Sequence, residues 1–148
     1  MSRPRLVHRL QSDCAAYLAG LIDGEGTVTL TRLHRYGNRR LVVSISNCEL
    51  AILEHVRNGI GAGKITSKKT YREHHARSFT YQISSRQALQ LLVQVVGFMK
   101  SYKAERARLA LLEYLRVTPR NGHYRPEVAV ARRNFEARLL AIVPRLAS

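Results

Sequence analysis

The run Tyr17-Leu18-Ala19-Gly20-Leu21-Ile22-Asp23-Gly24-Glu25-Gly26 ends on two carboxylates separated by a single glycine. Acids at the end of a helix face the negative pole of its macrodipole, a cost of about 0.3–1 kcal/mol each. A bound cation or a buried hydrogen bond would offset that cost. Hard divalent cations such as Mg²⁺ take oxygen ligands and keep several waters, so few protein carboxylates per ion suffice. An ion held in this way can stabilise the attacking and leaving oxygens of phosphodiester hydrolysis. Upstream, Ala16, Gly20 and Gly24 recur at every fourth position. Such a small-residue stripe lets two helix backbones approach closely. The pattern predicts two copies of this helix packed about a twofold axis, with Ala16, Gly20 and Asp23 at the dimer interface and one acidic metal site per subunit.

Charge narrows the partner. Twenty-five Lys and Arg against ten acids leave a formal charge of +15, spread along most of the chain. A domain this basic repels itself, and a polyanion is its usual counterpart. Nucleic acid is favoured; a ribosomal-type RNA binder and a protein of anionic membrane surfaces are the plainer alternatives. No terminal helix combines a strongly basic with a strongly apolar face, which argues against the membrane. No window reaches the roughly 18 apolar residues of a membrane span, and residues 1–10 are basic without the apolar core of an export signal. Cys14 and Cys48 fit no metal-ligand spacing, so a reduced, intracellular protein is expected. With 148 residues and 45% apolar content, one domain over 1–148 can bury a core without disulfides or structural metal.

The elements that position the acids follow from periodicity. Residues 12–23 read as a helix with Ser12 as N-cap and with Leu18, Leu21 and Ile22 in the core, broken by Gly24 and Gly26. Residues 27–33 alternate as a half-buried strand, and a turn at Tyr36-Gly37-Asn38 leads into a second strand over 40–46 with Leu41, Val43 and Ile45 inward. A short helix over about 49–58 is followed by Gly59, Gly61 and Gly63. Residues 64–71 and 77–84 form a second hairpin, with Phe79, Tyr81 and Ile83 inward. Helices are expected over 86–97 (apolar Leu89, Leu92, Val93, Val96), 101–117 (Ala107, Leu111, Tyr114, Leu115) and 127–142, the helical C-terminal part beginning near 118. The order α-ββ-α-ββ-α-α-α predicts an α+β fold with an antiparallel sheet covered on one face.

The uncovered sheet face carries Thr27, Thr29, Thr31, Arg40, Ser44 and Ser46, continued by Lys64, Thr66 and Lys68, with Arg35 in the first loop and Arg77 at the start of the fourth strand. No acid occurs on these three strands, whereas an ordinary solvated face mixes Glu with Lys. Short hydroxyls interleaved with long cations suit base edges and phosphates.

Residues 17–26 closely resemble the signature of the LAGLIDADG homing endonucleases, with LAGLID at 18–23 completed by Gly-Glu-Gly. The resemblance extends over roughly 12–115, through Ile60-Gly61-Ala62-Gly63-Lys64-Ile65 and Phe98-Met99-Lys100-Ser101-Tyr102-Lys103. It implies an α-ββ-α-ββ-α core with extra C-terminal helices and cleavage of a long, roughly palindromic double-stranded DNA target by a homodimer. It further implies Mg²⁺ as cofactor, with Mn²⁺ also supporting cleavage. By this resemblance Glu25 and the Gly24 carbonyl hold the metal, Asn47 orders waters at the scissile phosphate, and Lys103 steadies negative charge, with Lys100 as its competitor; Asp23 matches a more structural acid. The signature acid is Glu where Asp is commoner, and no basic residue follows in the first turn after Asn47. An RNA-gripping maturase, or a DNA-binding regulator that does not cleave, would use the same fold.

Other features read as bland. Gly59–Lys64 lacks Walker spacing, since position 58 is Asn and position 65 is Ile. His74-His75 is an adjacent pair in a polar loop, and Arg132, Arg133 and Arg138 read as the solvated face of the last helix.

Overall fold

A computed structural model describes residues 6–68 and 77–147, with only the backbone of Lys68. The His74-His75 pair and positions 69–71 of the expected third strand lie outside the described residues.

The first helix, α1, spans Ser12–Glu25 and buries Ala15, Leu18, Ala19 and Ile22, the i, i+3, i+4, i+7 stripe of a helix seated on a core. Leu21 is only partly buried. Two boundary expectations are corrected. The Gln11 carbonyl accepts the Ala15 amide at 2.9 Å, so the helix begins one residue early and Ser12 is its first residue rather than its cap. At the other end the helix runs through Gly24 to Glu25 and turns directly into strand β1, Gly26–Arg32. Gly26 makes that turn possible. A Cβ there would lie 2.7 Å from Ile22 Cα and 2.8 Å from the Ser44 carbonyl oxygen.

Strands β2 (Arg39–Asn47), β3 (Lys64–Lys68) and β4 (Ser78–Ser84) complete a four-stranded antiparallel sheet of order β1-β2-β4-β3. Both expected hairpins are present. The pairing of β2 with β4, Val43 opposite Ile83, joins them and places β4 inside the sheet. Val28, Leu30, Leu41, Val43, Ile45, Tyr81 and Ile83 are buried in the same core as the helices.

Those helices are α2 (Leu50–Ile60), α3 (Ser85–Val95), α4 (Tyr102–Glu113) and α5 (Pro126–Ala141). In α3 the core residues are Ala88, Leu89, Leu91, Leu92 and Val95, while Val93, expected inward, is 63% exposed. Leu115 is likewise exposed, because regular α4 stops at Glu113 and turns follow. The solvated reading of Arg132 is overturned, since the residue is 2% exposed. Its Nε donates to Glu136 Oε2 at 3.0 Å, its other nitrogens reach the Val117 and Arg39 carbonyls and the Thr118 hydroxyl, and the guanidinium lies 4.9 Å from the Tyr114 ring centre. A buried charge needs a partner and filled hydrogen bonds, and these supply both. Arg133 is exposed as expected, and Arg138 pairs with Glu113.

Candidate functional site

The junction of α1 and β1 delivers Glu25 to the end of the sheet, and the β1–β2 register, Gly26 opposite Ile45, brings Asn47 beside it. Asn47 Nδ2 donates to Glu25 Oε2 at 2.7 Å. The same amide's oxygen accepts the Glu49 N–H at 2.8 Å at the entry to α2, which fixes its orientation. Glu25 is otherwise exposed, a carboxylate held on one oxygen.

Asp23 has a different fate. Its carboxylate accepts the Lys100 N–H at 2.8 Å, the Ser101 N–H at 3.1 Å and the Ser101 hydroxyl at 2.5 Å. It thereby secures the start of α4. Partial burial by itself would raise its pKa, but these hydrogen bonds, with the Lys103 charge, hold the carboxyl below its ordinary value. Lys103 is buried, and its ammonium donates to the Ile22 carbonyl at 2.9 Å and the Asp23 carbonyl at 2.8 Å. A cation on the final carbonyls of α1 complements the helix dipole. Burial pulls the Lys103 pKa down, countered in part by Asp23. Lys103 thus grips the backbone of the helix that carries Glu25. Lys100, its competitor, is exposed.

Ala16, Gly20 and Gly24 are exposed along the outer side of α1, and a Cβ added at Gly20 or Gly24 meets nothing within 4 Å. The small-residue stripe is therefore open in the single chain.

The expected face of the sheet is present as a cross-strand hydroxyl ladder. Thr27 bonds Ser44 at 2.6 Å and Ser46 bonds Thr80 at 2.9 Å. In each pair one hydroxyl proton stays free, so both donor and acceptor capacity remain outward. Thr31, Lys64 and Thr66 are exposed, whereas Thr29 is partly buried with its hydroxyl 3.4 Å from Arg106 at the sheet edge. Arg35 is exposed in the β1–β2 loop over the Tyr36 ring, and Arg77 is exposed just before β4. Lys68 follows in β3 by its backbone.

Sequence reasoning missed the β4 contribution. Phe79, Tyr81 and Ile83 inward require Thr80, Gln82 and Ser84 outward, a signal that was available but incomplete without the strand order. Gln82 sits opposite both Ser44 and Lys64. Gln82 and Lys64, together with Arg40, Ser84 and Gln87, line a depression of about 450 Å³. Arg40 Nε is buried there with no partner among the described residues. None of the four strands carries an acid.

Two negative observations bound the site. Among the described residues no three or more His, Cys, Asp or Glu side chains converge as a metal cage. No described helix is long and apolar enough to cross a membrane.

No family model matches the chain. Solved structures do match. The homing endonuclease I-CvuI, in complex with its target in the presence of calcium, superposes with a TM-score of 0.71 at 14% identity, over 89% of this chain and 83% of its own. The LAGLIDADG meganuclease I-AabMI, bound to uncleaved DNA, gives 0.63 at 19% identity, over 90% of this chain but 46% of its own. The fold is that of the LAGLIDADG homing endonucleases. An archaeal intron-encoded member complexed with DNA, I-Vdi141I, matches over 90% of this chain and 86% of its own, with a TM-score of 0.57 at 17% identity. The chain thus matches 83% of an I-CvuI chain and about half of I-AabMI. The resemblance read from Leu18–Gly26 is borne out at the level of the fold, and beyond 118 the described residues form one helix, α5.

Proposed function

We propose that this chain is a site-specific, Mg²⁺-dependent DNA endonuclease that cuts both strands of its target as a homodimer. The observation that carries this reading is the exposed Glu25 carboxylate, pinned by Asn47 at the helix–strand junction beside an acid-free sheet face. A single anchored carboxylate suits a cation that keeps its waters and takes further oxygens from a phosphodiester, and would not suit zinc. Glu25 and the Gly24 carbonyl would hold Mg²⁺, or Mn²⁺ in its place; bound there, the ion would supply Lewis-acid stabilisation to the phosphodiester oxygens. Crystals of I-CvuI on DNA were prepared with calcium or magnesium, which supports a divalent cation in this fold.

The protein's own groups divide the remaining work. Asn47 orients Glu25 and leaves its second amide proton for a water or a phosphate oxygen. Lys103 and Asp23 fix the end of α1 against α4, so Glu25 projects from a rigid support. The hydroxyls of Thr27, Thr31, Ser44 and Ser46, with Arg40, Lys64, Thr66 and Gln82, address base edges, while Arg35 and Arg77 address the flanking phosphates. Packing of two α1 helices through Ala16 and Gly20, with Asp23 near the seam, would supply the second site, and a dimeric protein reads a roughly palindromic target.

The test begins with plasmids carrying randomised palindromic sites, from which the wild type selects its target. Linearisation is expected with Mg²⁺ and not with EDTA, and Glu25→Gln should bind the selected duplex without cutting it. Cutting by Glu25→Gln, or a single-chain mass by light scattering on the bound duplex, would defeat the proposal. Binding without cutting by the wild type would favour the DNA-binding regulator, and selective binding of RNA the maturase.

A further inference from the structure

The residues after 118 have no part in the metal site, yet one buried group among them reaches the reading face. Arg132 directs a donor onto the main-chain oxygen of Arg39, the first residue of β2. Its partner Glu136 takes the Arg39 side chain at 3.5 Å. Both halves of Arg39 are therefore held by α5. Successive strand residues face opposite sides, so fixing Arg39 against the helices sets how Arg40 stands on the other face, where it lines the depression with Lys64 and Gln82.

Further out, the β1–β2 loop carries Leu33 at 65% and Tyr36 at 92% exposure. Arg106 holds the middle of β1 through the Val28 carbonyl at 3.1 Å. The Arg132–Glu136 grip is the outer of these two fastenings. Burial alone would not require one Arg132 donor on the Arg39 carbonyl and the Glu136 carboxylate on the Arg39 side chain, and a hydrocarbon chain would fill the same space.

We infer that Arg132 and Glu136 are positioning residues for sequence recognition, clamping the start of β2 so that Arg40 and the hairpin tip meet the outer base pairs of the target in one register. This rests on the DNA-cleaving reading and extends it to the C-terminal helix. The metal site lies at the opposite end of β2, beside Asn47, so the clamp governs outer positions and leaves the central ones alone.

The experiment compares base preference, position by position, for duplexes enriched from a randomised DNA library. The variants are Arg132→Met with Glu136→Leu, made together because removing one member of a buried pair strands the other, whereas apolar replacement of both is commonly tolerated. Arg39→Met, at a side chain 32% exposed, removes the Glu136 half of the grip without entering the core and leaves the Arg132 bond to the main-chain oxygen. In both variants preference at the outermost positions should fall from roughly tenfold per base pair to less than about threefold, with central positions and Mg²⁺-dependent cutting at the centre unchanged. A merely structural role would lower the melting temperature and weaken every target alike, leaving the profile intact. An unchanged profile, or one flattened equally at all positions, overturns the inference while leaving the endonuclease standing. Failure of the wild type to enrich any duplex overturns both.

Discussion

Three glycines in one short segment should respond to a methyl group in opposite ways. At Gly26 the added Cβ meets Ile22 Cα at 2.7 Å, the Ser44 oxygen at 2.8 Å and the Ile22 oxygen at 3.0 Å, all main-chain atoms. Carbon contacts become comfortable near 3.5 Å, so α1 and β2 would have to part by roughly 0.8 Å. Overpacking of this kind costs about 1–3 kcal/mol, and backbone neighbours that cannot swing aside put Gly26→Ala at the upper end. Because Glu25 adjoins the displaced joint, a shift near 1 Å should also lower cleavage by about a hundredfold. At Gly20 and Gly24 the Cβ meets nothing within 4 Å. There alanine should stabilise the isolated chain by up to about 1 kcal/mol through helix propensity. Gly20→Leu, also directed outward, should leave the chain folded but keep two copies apart. Urea unfolding at concentrations where the chain is monomeric reads the first effect, and light scattering at higher concentration reads the second. If Gly26→Ala matches the wild type in stability, the close helix–strand joint is wrong. If Gly20→Leu still dimerises, the small-residue stripe is not the seam.

Lys103→Met removes the donor of the Asp23 carbonyl and leaves the Ile22 carbonyl only the Gly26 N–H, which should cost about 1–3 kcal/mol in urea unfolding, with cleavage falling too; Lys100→Met should keep both stability and cleavage, and the reverse result would exchange the two lysines. Asp23 has a folded pKa below its ordinary value of 3.8, so its stabilisation is complete above that value and disappears as pH falls through the folded one. Asp23→Asn should be less stable than wild type by about 1 kcal/mol at pH 7, with the gap beginning to close as pH falls below the ordinary value of 3.8; a gap that does not shrink with acidification would refute this. Tyr81 is fully buried, donates to the Ala62 carbonyl at 2.6 Å, and burial pushes its phenol pKa up. Tyr81→Phe should cost about 1–3 kcal/mol, and its absorbance titration below pH 11 should overlay that of the wild type.

Much of the fold is legible because periodicity records which side of an element is buried. The stripe of Ala15, Leu18, Ala19 and Ile22, and the alternations of Leu41, Val43, Ile45 and of Tyr81, Ile83, each specify a face from residues within one or two turns of each other. The site is legible in the same local sense. Glu25 ends its helix and Asn47 ends its strand, and both can be named from their neighbours. Their 2.7 Å contact depends on the β1–β2 register, which a short hairpin sets almost by itself.

What the sequence determined, then, is what neighbours in the chain dictate: the element types, their inward faces, the acidic junction, the acid-free strands and the signature of the family. What tertiary structure alone decided are pairings across long chain separations. The β2–β4 union puts Gln82 in the middle of the reading face, Asp23 joins residues 77 and 78 positions away in the α4 entry, Lys103 turns back to carbonyls 80 and 81 positions earlier, and Arg132 closes on Arg39 across 93. The physical reason is that an arginine, lysine or aspartate on a helix gives the same local pattern whether water or a distant main-chain group satisfies it. Only the closing of the core, which brings those distant groups within hydrogen-bond reach, separates the two.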